Sequence, residues 1–310
     1  MKIYINRKPV NAAWGGGNMF VKAMYKHVPE MSPHELIAAD NAMVAPDVML
    51  LAGIDNDGYG ISAEQAIMYK NMMEGKRVVK LFLRVNENDA RKGTSTVDPM
   101  LITLSGYMDG AIFVSNWQRD YFLEKGWKCE NNTVIVNGVD HELFKQQPKL
   151  NNGKINLLMS HWSDNYMKGQ DYAEWLDEFI GKYTNEFTFT FIGRTKAQFK
   201  NSSYVRPLSG RLLANEIGKY DVCINASRFD PGPNSVIEPI TCGLPTYVHK
   251  DGGGAVEFAG DDHVFSTFDE LEHLLLKKKF SSNLTKFLTW NQTIQNYITY
   301  IESVCGKSIV

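Results

Sequence analysis

The sequence lacks the features that mark several common classes of protein. Its 310 residues include only four cysteines, with no C-x-x-C pair, which argues against a zinc site and against a disulfide framework. No apolar run reaches the ~18 residues needed to span a bilayer. Residues 1–6 are typical of a strand rather than of a signal peptide. We therefore expect a soluble protein of a reducing compartment, the cytoplasm.

An excess of charge of one sign is also lacking. Lys and Arg number 33 and Asp and Glu number 35, so a whole-chain basic surface is absent and no nucleic-acid partner is expected. The histidines are scattered without paired metal-ligand spacing, and the chain contains neither a G-x-S-x-G nucleophile elbow nor a P-loop. These absences exclude serine hydrolases of that type and P-loop enzymes.

Short apolar runs alternate with helical stretches along the chain, and several runs are apolar on both faces, as a covered parallel sheet requires. The predicted strands are 2–6, 48–52, 78–85, 110–114, 133–136, 155–159, 187–192, 222–225 and 246–248. The predicted helices are 62–73, begun by a Ser62–Gln65 capping box, and 116–124, 170–182, 212–220, 269–279 and 290–303. This alternation occurs twice and predicts two doubly wound α/β domains, separated near the polar stretch 146–153.

A glycine cluster, Trp14–Asn18, follows the first predicted strand and precedes a helix expected to begin near Met19. Glycines there let the backbone approach a ligand, and a helix N-terminus offers N–H groups to an anion. The spacing differs from G-x-G-x-x-G, so a dinucleotide fingerprint is not predicted. A phosphate contact and a structural turn both remain open for this segment.

The most informative segment is 225–240, where a strand, a Pro/Gly loop and a helix follow one another. We expect the helix to begin near Asn234, with Asn234 or Ser235 as its N-cap. Asp230 in the loop and Glu238 in the helix can face one ligand. Carboxylates accept hydrogen bonds from paired hydroxyls, as in ribose and sugar diols, and the helix amides could hold a phosphate.

Three further segments each have two interpretations. Lys168, just before a helix, could neutralise a diphosphate or be a solvated surface lysine. The glycine cluster of 251–257 could bring amides to a ligand or form a plain turn, with Glu257 in the first turn of a helix. The D-x-D sequence Asp55-Asn56-Asp57 is interpreted as a turn rather than a metal site.

Together, these segments resemble the retaining, nucleotide-sugar-dependent glycosyltransferases of the GT-B fold, family 4, also called group 1. Asp230–Glu238 resembles the E-x7-E motif of that family, with Asp in the first place. Thr241–Pro245 and Gly252–Glu257 match the motifs that follow E-x7-E in that family. Val136–Asp140, followed by Phe144, matches the family's motif at the end of the first domain. The N-terminal glycine loop is the fourth match. The chain is similar to the compact members of the family that are encoded by bacteria and by large algal viruses.

The resemblance implies two Rossmann-like doubly wound domains that face each other across a cleft. Residues 1–147 would form an acceptor-binding domain, to which a crossover helix at about 290–310 returns. Residues 148–289 would form the nucleotide-sugar-binding domain. The implied location is the cytoplasm, or the host cytoplasm if the protein is viral.

The implied activity is that of a retaining hexosyltransferase that uses a UDP- or GDP-sugar as donor. The acceptor would be a glycan, a glycoprotein or a small molecule; no cofactor is expected, and a metal is not expected to be essential. Glu238 would bind the ribose hydroxyls, Asp230 the donor-sugar hydroxyls and Lys168 the diphosphate. Further donor contacts are expected from Gly16, Gly17, Gly193, Arg194, Asn234 and Ser235.

Two positions depart from the family pattern. Trp162 stands where the family usually has an arginine, for which His161 or Arg194 could compensate. Asn86 stands where the family has a histidine, and it is the fourth candidate catalytic residue. These departures keep alternatives open: a non-catalytic sugar-nucleotide or glycan-binding protein, or an epimerase or phosphorylase on the same scaffold.

Overall fold

Two parallel β-sheets organise this computed structural model, which describes residues 1–11, 15–41, 44–56 and 58–306. The first sheet contains β1 (Lys2–Ile5), β2 (Glu35–Ile37), β3 (Val48–Leu51), β4 (Lys80–Val85), β5 (Gly110–Phe113) and β6 (Asn132–Val134). The second contains β7 (Ile155–His161), β8 (Phe187–Gly193), β9 (Ser203–Val205), β10 (Val222–Asn225), β11 (Thr246–His249) and β12 (Val264–Phe265). The strand orders are β2-β1-β3-β4-β5-β6 and β12-β11-β10-β7-β8-β9. The predicted pair of doubly wound α/β sheets is confirmed.

Helices connect the strands and cover both sheets. Those that follow the first-sheet strands are α1 (Gly16–Met31), α2 (Ala63–Met73), α3 (Asp89–Lys92), α4 (Val97–Ser105) and α5 (Asn116–Glu124). The later helices are α6 (Gln170–Lys182), α7 (Gly210–Ile217), α8 (Asn234–Thr241), α9 (Gly254–Ala259), α10 (Phe268–Lys277) and α11 (Trp290–Val304). We call the first sheet with α1–α5 and α11 the first half, and the second sheet with α6–α10 the second half. Within the described ranges, no helix has the length and apolar character needed to cross a bilayer.

Local side-chain signals set several helix starts. The predicted capping box before α2 is present, because Ser62 Oγ accepts from the Gln65 amide at 3.2 Å and Gln65 Oε1 accepts from the Ser62 amide at 2.8 Å. The observed bounds of α5 and α6 coincide with the predicted ones. Helix α1 begins earlier than predicted, at Gly16 rather than near Met19, because Gly15 already has the extended conformation of an N-cap.

The strands that the sequence did not predict are β2, β9 and β12. All three lie at sheet edges and contain only two or three residues. An edge strand pairs on one side only and is less enclosed than a central strand, so it needs no long apolar run. The hydrophobic pattern therefore missed three of the four edge strands and predicted only β6.

Alternate residues of the central strands enter opposite cores. In β4, Phe82 packs with α1 and α11 on one face, whereas Leu81 and Leu83 pack with α2 and α4 on the other. In β7, Leu158 and Leu157 divide between two cores in the same way. A strand buried on both faces cannot show a polar alternation, which explains the continuous apolar runs in the sequence.

Helix α11 follows the second half along the chain but packs on the first half. Trp290, Ile294 and Tyr297 are buried in the same cluster as Phe20 of α1, and the rings of Phe20 and Tyr297 lie 4.8 Å apart between centroids. The crossover helix predicted at about 290–310 includes residues 307–310, which lie outside the described residues, and it stays a prediction. The domain boundaries at 147 and 289 stay predictions.

Gly138 allows this return, and we expect Gly138→Ala to destabilise the protein. An added Cβ would lie 2.7 Å from both the Cα and the amide nitrogen of Trp290, where only backbone can give way. Such overpacking costs about 1–3 kcal/mol of unfolding free energy. Thermal and urea unfolding would measure it, with Gly106→Ala as the control, because the nearest atom there is the flexible Lys128 Cδ at 3.3 Å. Equal stability of the two variants would contradict this account.

Candidate functional site

A cavity of about 630 Å³ lies between the two halves, at the carboxyl ends of the strands of both sheets. Parallel α/β sheets bind ligands at this edge because loops and helix N-termini converge there. The residues predicted from sequence that line it are Gly16, Gly17, Asn86, Lys168, Gly193, Asp230, Asn234, Ser235 and Glu238. Tertiary structure thus brings together residues from both halves of the chain.

Arg194 is the one predicted donor contact that does not line the cavity as the described residues form it. Its guanidinium instead stacks over the ring of Trp162, 4.0 Å from the ring centroid. Gly193 has a structural reason to be glycine: its φ is +134°, and a Cβ would lie 1.7 Å from the carbonyl oxygen of His161 on the neighbouring strand.

The loop that carries Asp230 is held by the second glycine cluster. The amide of Phe229 donates to Asp251 O at 2.7 Å, that of Asp230 to Gly252 O at 3.2 Å, and that of Gly254 to Asp230 O at 2.8 Å. None of the described residues of this cluster lines the cavity. Of the two interpretations left open by the sequence, the structural one is therefore favoured, because the cluster supports the loop rather than a ligand.

Phe229, next to Asp230, has a left-handed backbone conformation with φ +55°. This conformation costs about 1–2 kcal/mol for a residue with a side chain. It is held from both halves, since the Phe229 amide is bonded within the second half and its carbonyl accepts from Asn88 Nδ2 of the first half at 3.0 Å. The backbone strain at Phe229 thus lies directly beside Asp230, a candidate site residue.

Lys168 and Asp230 form an ion pair with side-chain exposures of only 12% and 7%. Burial alone would raise the pKa of Asp230, but the charges of Lys168 and Arg91 outweigh it and the pKa is lowered. Burial lowers the pKa of Lys168, and Asp230 opposes that effect. The two predicted residues therefore contact each other, and Asp230 is held in its ionised form.

Helix α8 begins at Asn234 and has Pro233 as its N-cap, with no side-chain cap. The prediction that Asn234 or Ser235 caps this helix is therefore wrong, because both side chains bind elsewhere. Asn234 Oδ1 accepts from Asn137 Nδ2, and Ser235 Oγ accepts from Asn225 Nδ2, each at 2.8 Å. The amide of Val236 donates to the Pro233 carbonyl oxygen at 3.0 Å, which leaves the amides of Asn234 and Ser235 without an intrahelical acceptor at the cavity wall.

Glu238 lies one turn into α8 and lines the same cavity. Burial raises the pKa of its carboxyl group to about 8. Among the described residues, none donates a hydrogen bond to this half-buried carboxyl group or forms an ion pair with it. The carboxyl group is thus available to hydroxyl groups of a ligand.

Sequence reasoning missed the cations that the first half places on the cavity wall, Arg7, Lys8, Arg84 and Arg91. Arg84 is only 2% exposed; its Nη2 donates to Asn137 Oδ1 at 2.8 Å, and its guanidinium lies 4.5 Å from the ring centroid of Phe20. A charged residue among the apolar residues 81–85 of strand β4 was the available signal. Arg91, on the four-residue helix α3, has no such pattern around it.

The segment interpreted as a turn is a turn where it is described. The carbonyl oxygen of Asn56 accepts from the amides of Tyr59 and Gly60 at 2.9 and 3.1 Å. Asp55 lines the cavity and pairs with Arg7. Asp57, the second carboxylate of the D-x-D sequence, and Trp14 of the first glycine cluster lie outside the described residues.

We expect Glu238→Gln to stabilise the protein increasingly as pH rises. The raised pKa means that the folded state holds a proton which the unfolded state loses near the ordinary pKa of 4.5. Stability is therefore lost as pH rises from there to about 8, and glutamine removes this loss. Melting curves at several pH values should show near equality at pH 4 and a gain on the order of 1 kcal/mol at pH 8. A difference that is constant with pH would contradict the assignment.

Comparison with known proteins identifies the fold. No protein-family model matches the sequence, and no curated protein matches it. Among solved structures, HepE from Anabaena in complex with UDP and glucose superposes with a TM-score of 0.75 at 14% identity, over 98% of this chain and 100% of that one. A sucrose-phosphate synthase from Thermosynechococcus elongatus has a TM-score of 0.70 at 12% identity, over 99% and 100% of the two chains. The lipopolysaccharide outer core galactosyltransferase WaaB has a TM-score of 0.65 at 11% identity, over 100% of both. The chain therefore has the GT-B fold, as its sequence predicted.

Proposed function

We propose that this protein is a glycosyltransferase that moves a sugar from a nucleoside-diphosphate sugar to an acceptor, with retention of configuration. The observation that carries the proposal is the arrangement of the cleft wall. The carboxyl group of Glu238, to which no described residue donates, lies one turn beyond the first two amides of α8, and the buried Lys168–Asp230 pair lines the same cavity. These groups match the diol, the phosphates and the sugar of such a donor.

A uridine nucleotide is the first donor to consider. HepE, which superposes on nearly the whole chain, was solved with UDP and glucose and also with UDP-glucose. At such low identity these ligands belong to HepE, and a guanosine nucleotide shares the same ribose and diphosphate. UDP-glucose and GDP-sugars are therefore the donors to compare.

In this proposal, Glu238 accepts hydrogen bonds from the ribose hydroxyls, and the amides of Asn234 and Ser235 hold a phosphate. Helix N-termini bind phosphates because their N–H groups and dipole favour negative charge. Gly16 and Gly17 approach from the first half, where a Cβ on Gly16 would lie 3.0 Å from Asn234 Oδ1. The bound donor would thus contact both halves.

The chemical step would depend on stabilising the leaving diphosphate. Lys168 and the α8 amides supply fixed positive charge at that position, a contribution of several kcal/mol in comparable sites. Asp230, kept ionised, contacts the hydroxyls of the donor sugar, and Asn86 lines the first-half wall where the acceptor would enter. We assign no protein nucleophile, and we do not expect a divalent metal to be essential.

One observation favours a second candidate, a non-catalytic binder of sugar nucleotides. Trp162 occupies the position of an arginine in the family that the sequence resembles, and Arg194 is stacked on it rather than turned to the cavity. A binder would hold UDP-glucose without releasing UDP, whereas a transferase hydrolyses its donor slowly even when no acceptor is added.

Glu238→Ala should weaken binding of UDP about 10- to 100-fold, because two hydrogen bonds to the ribose are lost. Calorimetric titration with UDP and with 2′,3′-dideoxy-UDP tests this directly. The wild type should prefer UDP and the variant should not discriminate. Glu178→Ala, at an exposed position of α6, is the matched control. Retained preference for UDP in Glu238→Ala would show that the ribose lies elsewhere.

Lys168→Ala should lower the rate of UDP release from UDP-glucose about 100- to 1000-fold, with a smaller change in KM. Release of UDP would be followed with and without candidate acceptors, and NMR of the glycosidic product would report its anomeric configuration. Circular dichroism checks that the variant is folded, since Asp230 loses its partner. An inverted product would contradict retention, and an unchanged rate would remove Lys168 from the mechanism.

A further inference from the structure

The second half offers little net positive charge to a diphosphate. Among the cavity-lining residues that the structure describes, Lys168 is its only cation, and Asp230 already balances that charge. His161 cannot add charge near neutral pH, because burial lowers its pKa to about 3. A diphosphate carries at least two negative charges, so further positive charge has to come from the first half.

We propose that Arg91, on α3 of the first half, is a phosphate-binding residue that reaches the donor diphosphate from across the cleft. This inference rests on the proposed function and adds to it a residue from the opposite half. Three sets of contacts carry it: the two anchors of α3 on the second half, the bonds within its own segment, and the side chain of Arg91 itself.

The N-terminal end of α3 is anchored beside Asp230. Asn88, the residue before the helix, donates from Nδ2 to the carbonyl oxygen of Phe229 at 3.0 Å. Phe229 directly precedes Asp230 in the chain. The helix therefore begins against the loop that carries one member of the buried ion pair.

The C-terminal end of α3 is anchored beside Lys168. The carbonyl oxygen of Lys92 accepts from Asn165 Nδ2 at 3.4 Å. The side chain of Asn165 also caps the short turn Tyr166–Lys168, by accepting from the Met167 amide at 2.8 Å. Arg91 thus lies between the Asn88 contact to the loop of Asp230 and the Asn165 contact beside the turn of Lys168. It also lines the cavity.

The segment around α3 is held rigid by hydrogen bonds of its own. Asn88 Oδ1 accepts from the Arg91 amide at 2.7 Å, which caps the helix. The carboxylate of Asp89 accepts from the amides of Val97 and Asp98 at 3.0 and 2.8 Å. The backbone that carries Arg91 therefore needs no further ordering when a ligand binds.

The guanidinium of Arg91 has no hydrogen-bond acceptor in the part of the chain that the structure describes. Its Nε is buried without a hydrogen-bond partner, and no described carboxylate forms an ion pair with it, whereas Lys92 beside it pairs with Glu87. Its charge contributes to lowering the pKa of both Lys168 and Asp230, which places it near the pair. A phosphate is the group that satisfies such a donor, because a guanidinium matches two phosphate oxygens at once.

Calorimetric titration of the full chain with UDP, UMP and uridine tests the assignment. Arg91→Gln should weaken binding of UDP about 10- to 100-fold and leave the affinity for uridine unchanged. The UDP affinity of Arg91→Lys should lie between those of the wild type and Arg91→Gln, because lysine keeps the charge but not the paired N–H donors. The matched control is Lys92→Gln, which removes one positive charge from the same helix and should leave all three affinities at the wild-type values.

The outcomes separate this inference from the proposed function. An equal loss of affinity for UDP and uridine in Arg91→Gln, or the same loss in Lys92→Gln, would indicate a structural or general charge effect and overturn the assignment. Unchanged UDP affinity in Arg91→Gln, with binding still dependent on Glu238, would overturn only this inference. A wild-type protein that binds neither UDP nor GDP would overturn both.

Discussion

The backbone hydrogen bonds between the loop that precedes α8 and the glycine-rich turn that precedes α9 are the constraint on which the cleft depends. They can form because the turn has no side chains where the two backbones meet. A Cβ on Gly253 would lie 2.8 Å from the Asp230 carbonyl oxygen, and one on Gly254 would lie 2.5 Å from that of Pro231. With its backbone fixed in this way, Asp230 directs its carboxylate towards Lys168.

Several contacts across the cleft are made by neutral amides rather than by an apolar interface. Asn137 donates to Asn234 Oδ1 and to Gly232 O, at 2.8 and 3.3 Å. Glu257 adds a charged contact at the start of α5, accepting from Asn116 Nδ2 at 2.7 Å and from the Trp117 amide at 3.1 Å. A few directional bonds therefore set the orientation of the walls, and the cavity between them stays open to a ligand.

Much of the fold could be predicted from the sequence because its signals are local. Central strands are apolar on both faces, and capping residues such as Ser62 mark helix starts. The misses have physical reasons. Edge strands such as β9 need no apolar run. Asn234 is a residue type that often caps helices, but its side-chain oxygen accepts a hydrogen bond from Asn137, which is distant in the chain.

The sequence by itself determined the two-sheet α/β architecture and the motif that contains Asp230 and Glu238, because each depends on residues close together in the chain. The tertiary structure alone decided the charge balance of the cleft. It paired Lys168 with Asp230, gave Glu238 no partner among the described residues and brought Arg91 to the opposite wall. Spacing along the chain carries no information about such contacts, since side chains 62 residues apart meet only when strands and loops from distant segments pack together.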